Sequence, residues 1–133
     1  MKGNDESIFS FQDLKVWHKA VQFAENIIQT IDKLNAPRKH YRLIEQLESS
    51  STSVAMNVAE GKGRQTTKGF IQFLYIARGS LFEVITLLVI LQKVGWIDSE
   101  KVIEFQQKAE EITKMINSLI KIYEKKVSYK PIS

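Results

Sequence analysis

Residues 67–94 read TKGFIQFLYIARGSLFEVITLLVILQKV, and their spacing decides the fold. Phe70, Leu74, Ala77, Leu81, Val84, Leu88 and Leu91 recur at alternating steps of four and three. That is the repeat of one face of an α-helix. One position on, Ile71, Tyr75, Phe82, Ile85 and Val89 form a second stripe, interrupted by Arg78. Phe73, Ile76, Leu87 and Ile90 flank both. A bundle helix needs about three apolar positions in seven toward its own core. The surplus predicts cover from outside the chain, and a homo-oligomer, either a closed ring or a symmetric dimer, is the expected form. Ile71, Tyr75, Phe82, Ile85 and Val89 are its expected interface.

The same alternation extends outward in both directions. Downstream, Gly95 offers a helix stop, and Val102, Phe105, Ala109, Ile112, Ile116, Leu119 and Tyr123 mark a helix over 99–126. Upstream, Thr66 or Thr67 is the expected cap. A helix over 38–60 is anchored by Leu43, Leu47, Val54 and Val58. Its run Ser49-Ser50-Ser51-Thr52-Ser53 resembles a linker by composition. The apolar phase is the same on both sides of it, so it is read as helix with a small, closely packed face. Gly61 is expected just past that helix end at positive φ.

The first helix is expected over 11–34, with Ser10 and Asp13 spaced as a capping box. Leu14, Trp17, Val21, Ala24, Ile28 and Ile31 form one stripe; Val16, Ala20, Phe23, Ile27 and Leu34 form another. Asn35-Ala36-Pro37 ends it, since proline lacks the amide donor and disfavours helical geometry before it. Residues 1–8 and 127–133 are read as frayed ends. No segment alternates with period two. The expectation is a single all-α domain over 1–133, an antiparallel up-down-up-down four-helix bundle forming the protomer of a ring-like homo-oligomer.

Composition limits the chemistry. The 133 residues include no cysteine and two histidines. Without cysteine there is no disulfide scaffold, thiolate metal site or thiol nucleophile. Lys15 and Pro37, three residues before His18 and His40, break the Glu-x-x-His pattern of di-iron bundles. No phosphate-binding Gly-x-x-x-x-Gly-Lys-Ser/Thr occurs. The Arg-to-His spacing of small helical ribonucleases is also missing, because Arg38 stands only two residues before His40. His18 and His40 are read as surface or boundary residues. The expectation is a protein that is not an enzyme, with no catalytic residue, cofactor or metal. The longest unbroken apolar run, 87–91, is far short of the ~18 residues that span a bilayer. No secretory leader is visible, and a cytoplasmic protein without a membrane partner is expected.

The net charge of +4 comes from 19 Lys and Arg against 15 Asp and Glu. Its distribution is uneven: Lys62, Arg64, Lys68 and Arg78 fall within 61–82, which holds no acid. Arg38, Lys39 and Arg42 form a second group; Lys121, Lys125, Lys126 and Lys130 form a third. In an antiparallel bundle Lys62, Arg64 and Lys68 share an end with Lys121, Lys125 and Lys126. These six are the expected rim for RNA or DNA phosphates. Asn57, Glu60, Gly61, Arg78 and Glu83 are read as packing and ion-pair residues. Arg64 or Arg78, from the same chain or from a neighbouring copy, are the expected cationic partners for Glu60 and Glu83.

Two stretches carry a family resemblance. Asn57-Val58-Ala59-Glu60-Gly61, Arg64, Phe70 to Ser80 and Glu83 resemble the hallmark of the bacterial four helix bundle protein family. Phe11-Gln12-Asp13-Leu14-Lys15-Val16-Trp17 with Lys19-Ala20 is similar to its first-helix signature. That family was first known from proteins encoded in intervening sequences of large-subunit ribosomal RNA genes. It includes the accessory protein of diversity-generating retroelements. The resemblance implies a four-helix protomer assembled as a barrel-like homopentamer. For the retroelement members it also implies nucleic-acid binding and association with a reverse transcriptase through a basic surface.

Overall fold

The computed structural model describes residues 8–34 and 40–128. Among them are four α-helices and no strand: α1 (Lys15–Ile31), α2 (Tyr41–Lys62), α3 (Thr67–Lys93) and α4 (Ser99–Ser128). α2 packs on α1 and α3, α3 on α4, and α4 more sparsely on α1. The periodic positions of the third and fourth helices form the centre. Leu74, Leu81, Leu88 and Leu91 are buried with Phe105, Ile112 and Ile116. Truncating any of these leucines to alanine is worth about 2–5 kcal/mol in a core of this kind. α3 is long and apolar enough to pass for a membrane span by length and composition, yet one face of it is the shared core.

The first helix differs from its reading. Ser10–Asp13 is a 3₁₀ turn, Leu14 is extended (ψ 121°), and α1 starts only at Lys15. The Ser10–Asp13 capping box does not form. Gln12 does the work instead, its side-chain oxygen accepting the amides of Ile8 (3.0 Å) and Phe9 (2.9 Å). Aromatic packing holds this corner: Phe11 stacks on Phe9 and lies 5.2 Å from Trp17. His18 Nε2 donates to the Gln12 carbonyl at 2.6 Å. Of the two stripes on α1, Val16, Ala20, Phe23 and Ile27 are buried, while Val21 and Ile28 stay exposed. The Asn35-Ala36-Pro37 stop, Arg38, Lys39, Lys130 and most of both expected frayed ends lie outside the described residues. Within them α4 continues to Ser128, two residues past the expected end.

α2 runs unbroken through the serine stretch, as its phase requires. Ser50 and Ser51 are buried, and the Ser51 and Thr52 hydroxyls bond back to the Glu48 carbonyl. Ser53 shares a 2.8 Å hydrogen bond with Ser80 of α3, and the Asn57 amide donates to the Ser53 hydroxyl and carbonyl. Small polar residues thus seal the α2–α3 seam. Among the described residues no buried side-chain nitrogen or oxygen lacks a partner.

Gly61 corrects the expectation of a positive-φ stop. It lies inside α2, and an added Cβ would stand 2.6 Å from Phe73 Cβ and 3.0 Å from Phe70 Cδ1. The glycine is there because α3 crosses against the helix backbone, not for its conformational freedom. Gly95 is the residue that needs that freedom, with φ +86°. There the Gly95 amide bonds to the Gln92 carbonyl and the Trp96 amide to the Leu91 carbonyl, closing α3 in a Schellman-type turn.

Candidate nucleic-acid interface

The C-terminal end of α2, the start of α3 and the C-terminal end of α4 meet around three aromatic rings. Phe70 is buried beneath Gly61, and its ring meets Tyr123 edge-on at 4.8 Å. Phe73, on the same side of α3, also approaches Gly61. Each ring carries a cation. Lys62 Nζ stands 5.8 Å from the Phe70 centroid, Lys126 Nζ 4.3 Å from Tyr123, and the Arg64 guanidinium 4.5 Å from Phe73. Such contacts contribute about 0.5–1 kcal/mol at exposed sites. Here their larger effect is to hold three long side chains at one end of the molecule.

The connection at this end is short. The Gly63 and Arg64 amides bond back to the Ala59 and Gly61 carbonyls, and the Thr66 hydroxyl accepts the Gly69 amide (3.0 Å) as the α3 cap. Thr66 is thus the cap among the two expected candidates. No acid lies in the first turn of α3, so its positive dipole end adds to the cationic field. Lys62 lies in the last turn of α2, and Lys125 and Lys126 in the last turn of α4, where cations offset the negative ends of those helices. Arg64, Lys68 and Lys121 are exposed and have no such role. Arg64 also pairs with Glu60 at 2.9 Å, both side chains about half exposed. A pair that open to water contributes little and leaves most of its field available to a ligand.

The structure therefore joins Lys62, Arg64 and Lys126 through one aromatic cluster. Lys68, two positions before Phe70 on α3, and Lys121 and Lys125, two positions either side of Tyr123 on α4, do not share those rings' helix faces. The rings carry no signal of the site in the sequence. Tyr123 read as an ordinary core position, and the contacts to Phe70 and Phe73 join segments far apart in the chain.

The remaining residues sort differently. Glu60 has its expected partner in Arg64, whereas Glu83 has none within the described residues of its own chain. Glu83 is exposed, and among the described residues no cation pairs with it, because solvent at that face removes the need. Arg78 turns instead to α4, donating to Asn117 Oδ1 at 2.7 Å and lying 4.8 Å from the Tyr75 ring. In the second α3 stripe Tyr75 and Phe82 are exposed, whereas Ile71, Ile85 and Val89 are half-buried against the core. The Tyr75 hydroxyl donates to Glu124 at 3.3 Å. His18 is exposed and His40 half-buried, packed 4.9 Å from Trp96. Among the described residues no group of three or more His, Asp or Glu is placed to hold a metal ion.

Two comparisons place the molecule among known proteins. Its fold is similar to the crystal structure of a protein of unknown function from the S23 ribosomal protein family of Bacteroides thetaiotaomicron VPI-5482. The TM-score is 0.74 at 28% identity, over 80% of this chain and 95% of the other. No curated protein sequence matches the chain. Residues 12–118, which take in the Gly61–Phe73 crossing and the basic turn, match the family model described as 23S rRNA-intervening sequence protein. With that match spanning most of α1 through α4, the chain belongs to the 23S rRNA-intervening sequence protein family.

Proposed function

We propose that this protein is a non-enzymatic, ring-like homo-oligomer of up-down-up-down bundles that binds RNA or DNA through basic rims. The observation that carries the reading is the α2–α3 end, where Lys62, Arg64 and Lys126 are held over aromatic rings at the positive end of α3. Cations held in place in this way neutralise backbone phosphates and release counterions, with no demand on base sequence. The family's association with ribosomal RNA intervening sequences supports a nucleic-acid setting, and a cytoplasmic protein fits it.

Two apolar surfaces support the oligomer. Trp17, Val21, Ile28 and Met56 line a groove between α1 and α2, with Met56 66% exposed. Between α3 and α4, Phe82 and Ile103 stand out from the surface, Phe82 51% exposed. Copies that bury these surfaces against one another also repeat the basic end around the assembly, and each repeat adds phosphate contacts. Five copies are the favoured number.

Binding of fluorescent single-stranded RNA, followed by anisotropy at low salt, tests the reading. The native protein is expected to bind, and the Lys62→Glu/Arg64→Glu/Lys68→Glu variant to lose at least about 100-fold in affinity. Native protein that fails to bind at low salt contradicts the nucleic-acid reading. Light scattering tests the assembly, with a mass several times the 15.3 kDa chain expected. A stable monomer would leave the exposed apolar groove as the mark of a protein-interaction scaffold.

A further inference from the structure

The two apolar surfaces lie on opposite sides of the molecule. α2 packs on α1 and α3, α3 on α4, and α4 only sparsely on α1, so the α1–α2 and α3–α4 seams face away from each other. The two differ in shape. The α1–α2 seam is a hollow of about 710 Å³ floored by Ala24, Ala55 and Ala59, with Trp17, Ile28 and Met56 as its walls. Small side chains on a floor leave room for large ones from outside. The α3–α4 seam instead carries a ridge, with Phe82 and Ile103 51% and 52% exposed beyond the half-buried Ile85.

Both surfaces are large enough for a stable contact. Phe9, Val21, Ile28 and Met56 on one side, and Tyr75, Phe82, Ile90 and Ile103 on the other, each present roughly 400 Å² of apolar side chain. A standard interface buries about 800 Å² per partner, somewhat more than half of it apolar. Like surfaces do not fit each other. Two hollows set face to face leave their alanine floors untouched, and two ridges set ring against ring while every hollow stays open to water. Charge agrees with the unlike pairing. Glu25 is the charged side chain in the lining of the hollow, and the Arg78 guanidinium stands 5.9 Å from the Phe82 ring. Glu83 and Glu110 lie on the other side of Phe82 from Arg78, toward the C-terminal half of α3, so charge also sets the register.

We infer that copies of this chain join head to tail, the Phe82–Ile103 ridge of one seated in the α1–α2 hollow of the next, with Glu25 beside Arg78. This contact presupposes the homo-oligomer proposed above and says which faces make it. Unlike faces leave one hollow and one ridge free on every pair, so the contact propagates until a ring closes.

Light scattering on two full-length variants and their mixture tests this. Met56→Asp puts a carboxylate in the hollow, and Phe82→Asp removes the ridge. Both residues are exposed, so each variant is expected to keep native helicity by circular dichroism. Each alone is expected at the 15.3 kDa of one chain. Mixed in equal amounts they are expected to pair, doubling that mass and going no further, because each pair holds one intact hollow and one intact ridge. Val21→Asp with Ile103→Asp is expected to repeat the pattern, and decides the matter if either first variant loses helicity. Native protein that is itself monomeric overturns the oligomer reading, and this contact with it. A native assembly whose Phe82→Asp variant still dimerises, or whose two variants mix without pairing, overturns the head-to-tail contact alone.

Discussion

The two ends of this molecule are built from similar residues and reach opposite arrangements. At the α2–α3 end a glycine lets two helices touch, aromatic rings close the space beneath, and cations lie over the rings. At the other end a glycine turns the chain, α1 and α4 stay apart, and an indole lines an open cleft. The difference lies in what the helix flanks carry. Gly61, Ala77, Ser53 and Ser80 let α2 and α3 close on each other, whereas Asn26 and Gln29 keep α1 solvated where it faces α4. A sealed end presents charge on a surface, suited to an extended polyanion.

Substituting the two glycines separates their roles. Gly61→Val drives side-chain atoms into Phe73 and Phe70 and is expected to cost about 3 kcal/mol, lowering Tm by about 10 °C. Gly95→Ala meets open space and is strained only by its φ, so about 1 kcal/mol is expected. Equal losses in thermal melts of the two variants would erase the distinction between a packing glycine and a turning glycine. The smallest expected change is at the rim. Arg64→Ala removes an exposed ion pair and should alter stability by no more than about 0.5 kcal/mol while weakening RNA binding several-fold.

Much of this was legible in the residues, and the exceptions share a cause. The boundaries of α3 and α4 follow from local signals: the Thr66 cap, the Gly95 stop and an unbroken repeat of threes and fours. The serine stretch of α2 was readable as helix because the phase on either side agrees. Local signals end α2 two residues too early, which leaves Gly61 outside the helix and assigns it a turning role, because its real constraint comes from Phe73 on another helix. The kink at Leu14 escaped because Gln12, an unremarkable residue in sequence, supplies the cap that Ser10 was expected to supply. The apolar neighbours of Glu83 in sequence suggest burial, but its helix position is exposed in the single chain. The rim lysines were visible as charge; the rings beneath them and the α1–α4 cleft exist only once distant segments pack.

The salt dependence of RNA binding by the native protein tests the central claim most directly. Anisotropy titrations over a range of salt concentrations should give a linear plot of log affinity against log salt. Three rim cations engaged per copy predict a slope of about −2 or steeper on a single strand. A slope indistinguishable from zero, or no binding at the lowest salt, would contradict the account.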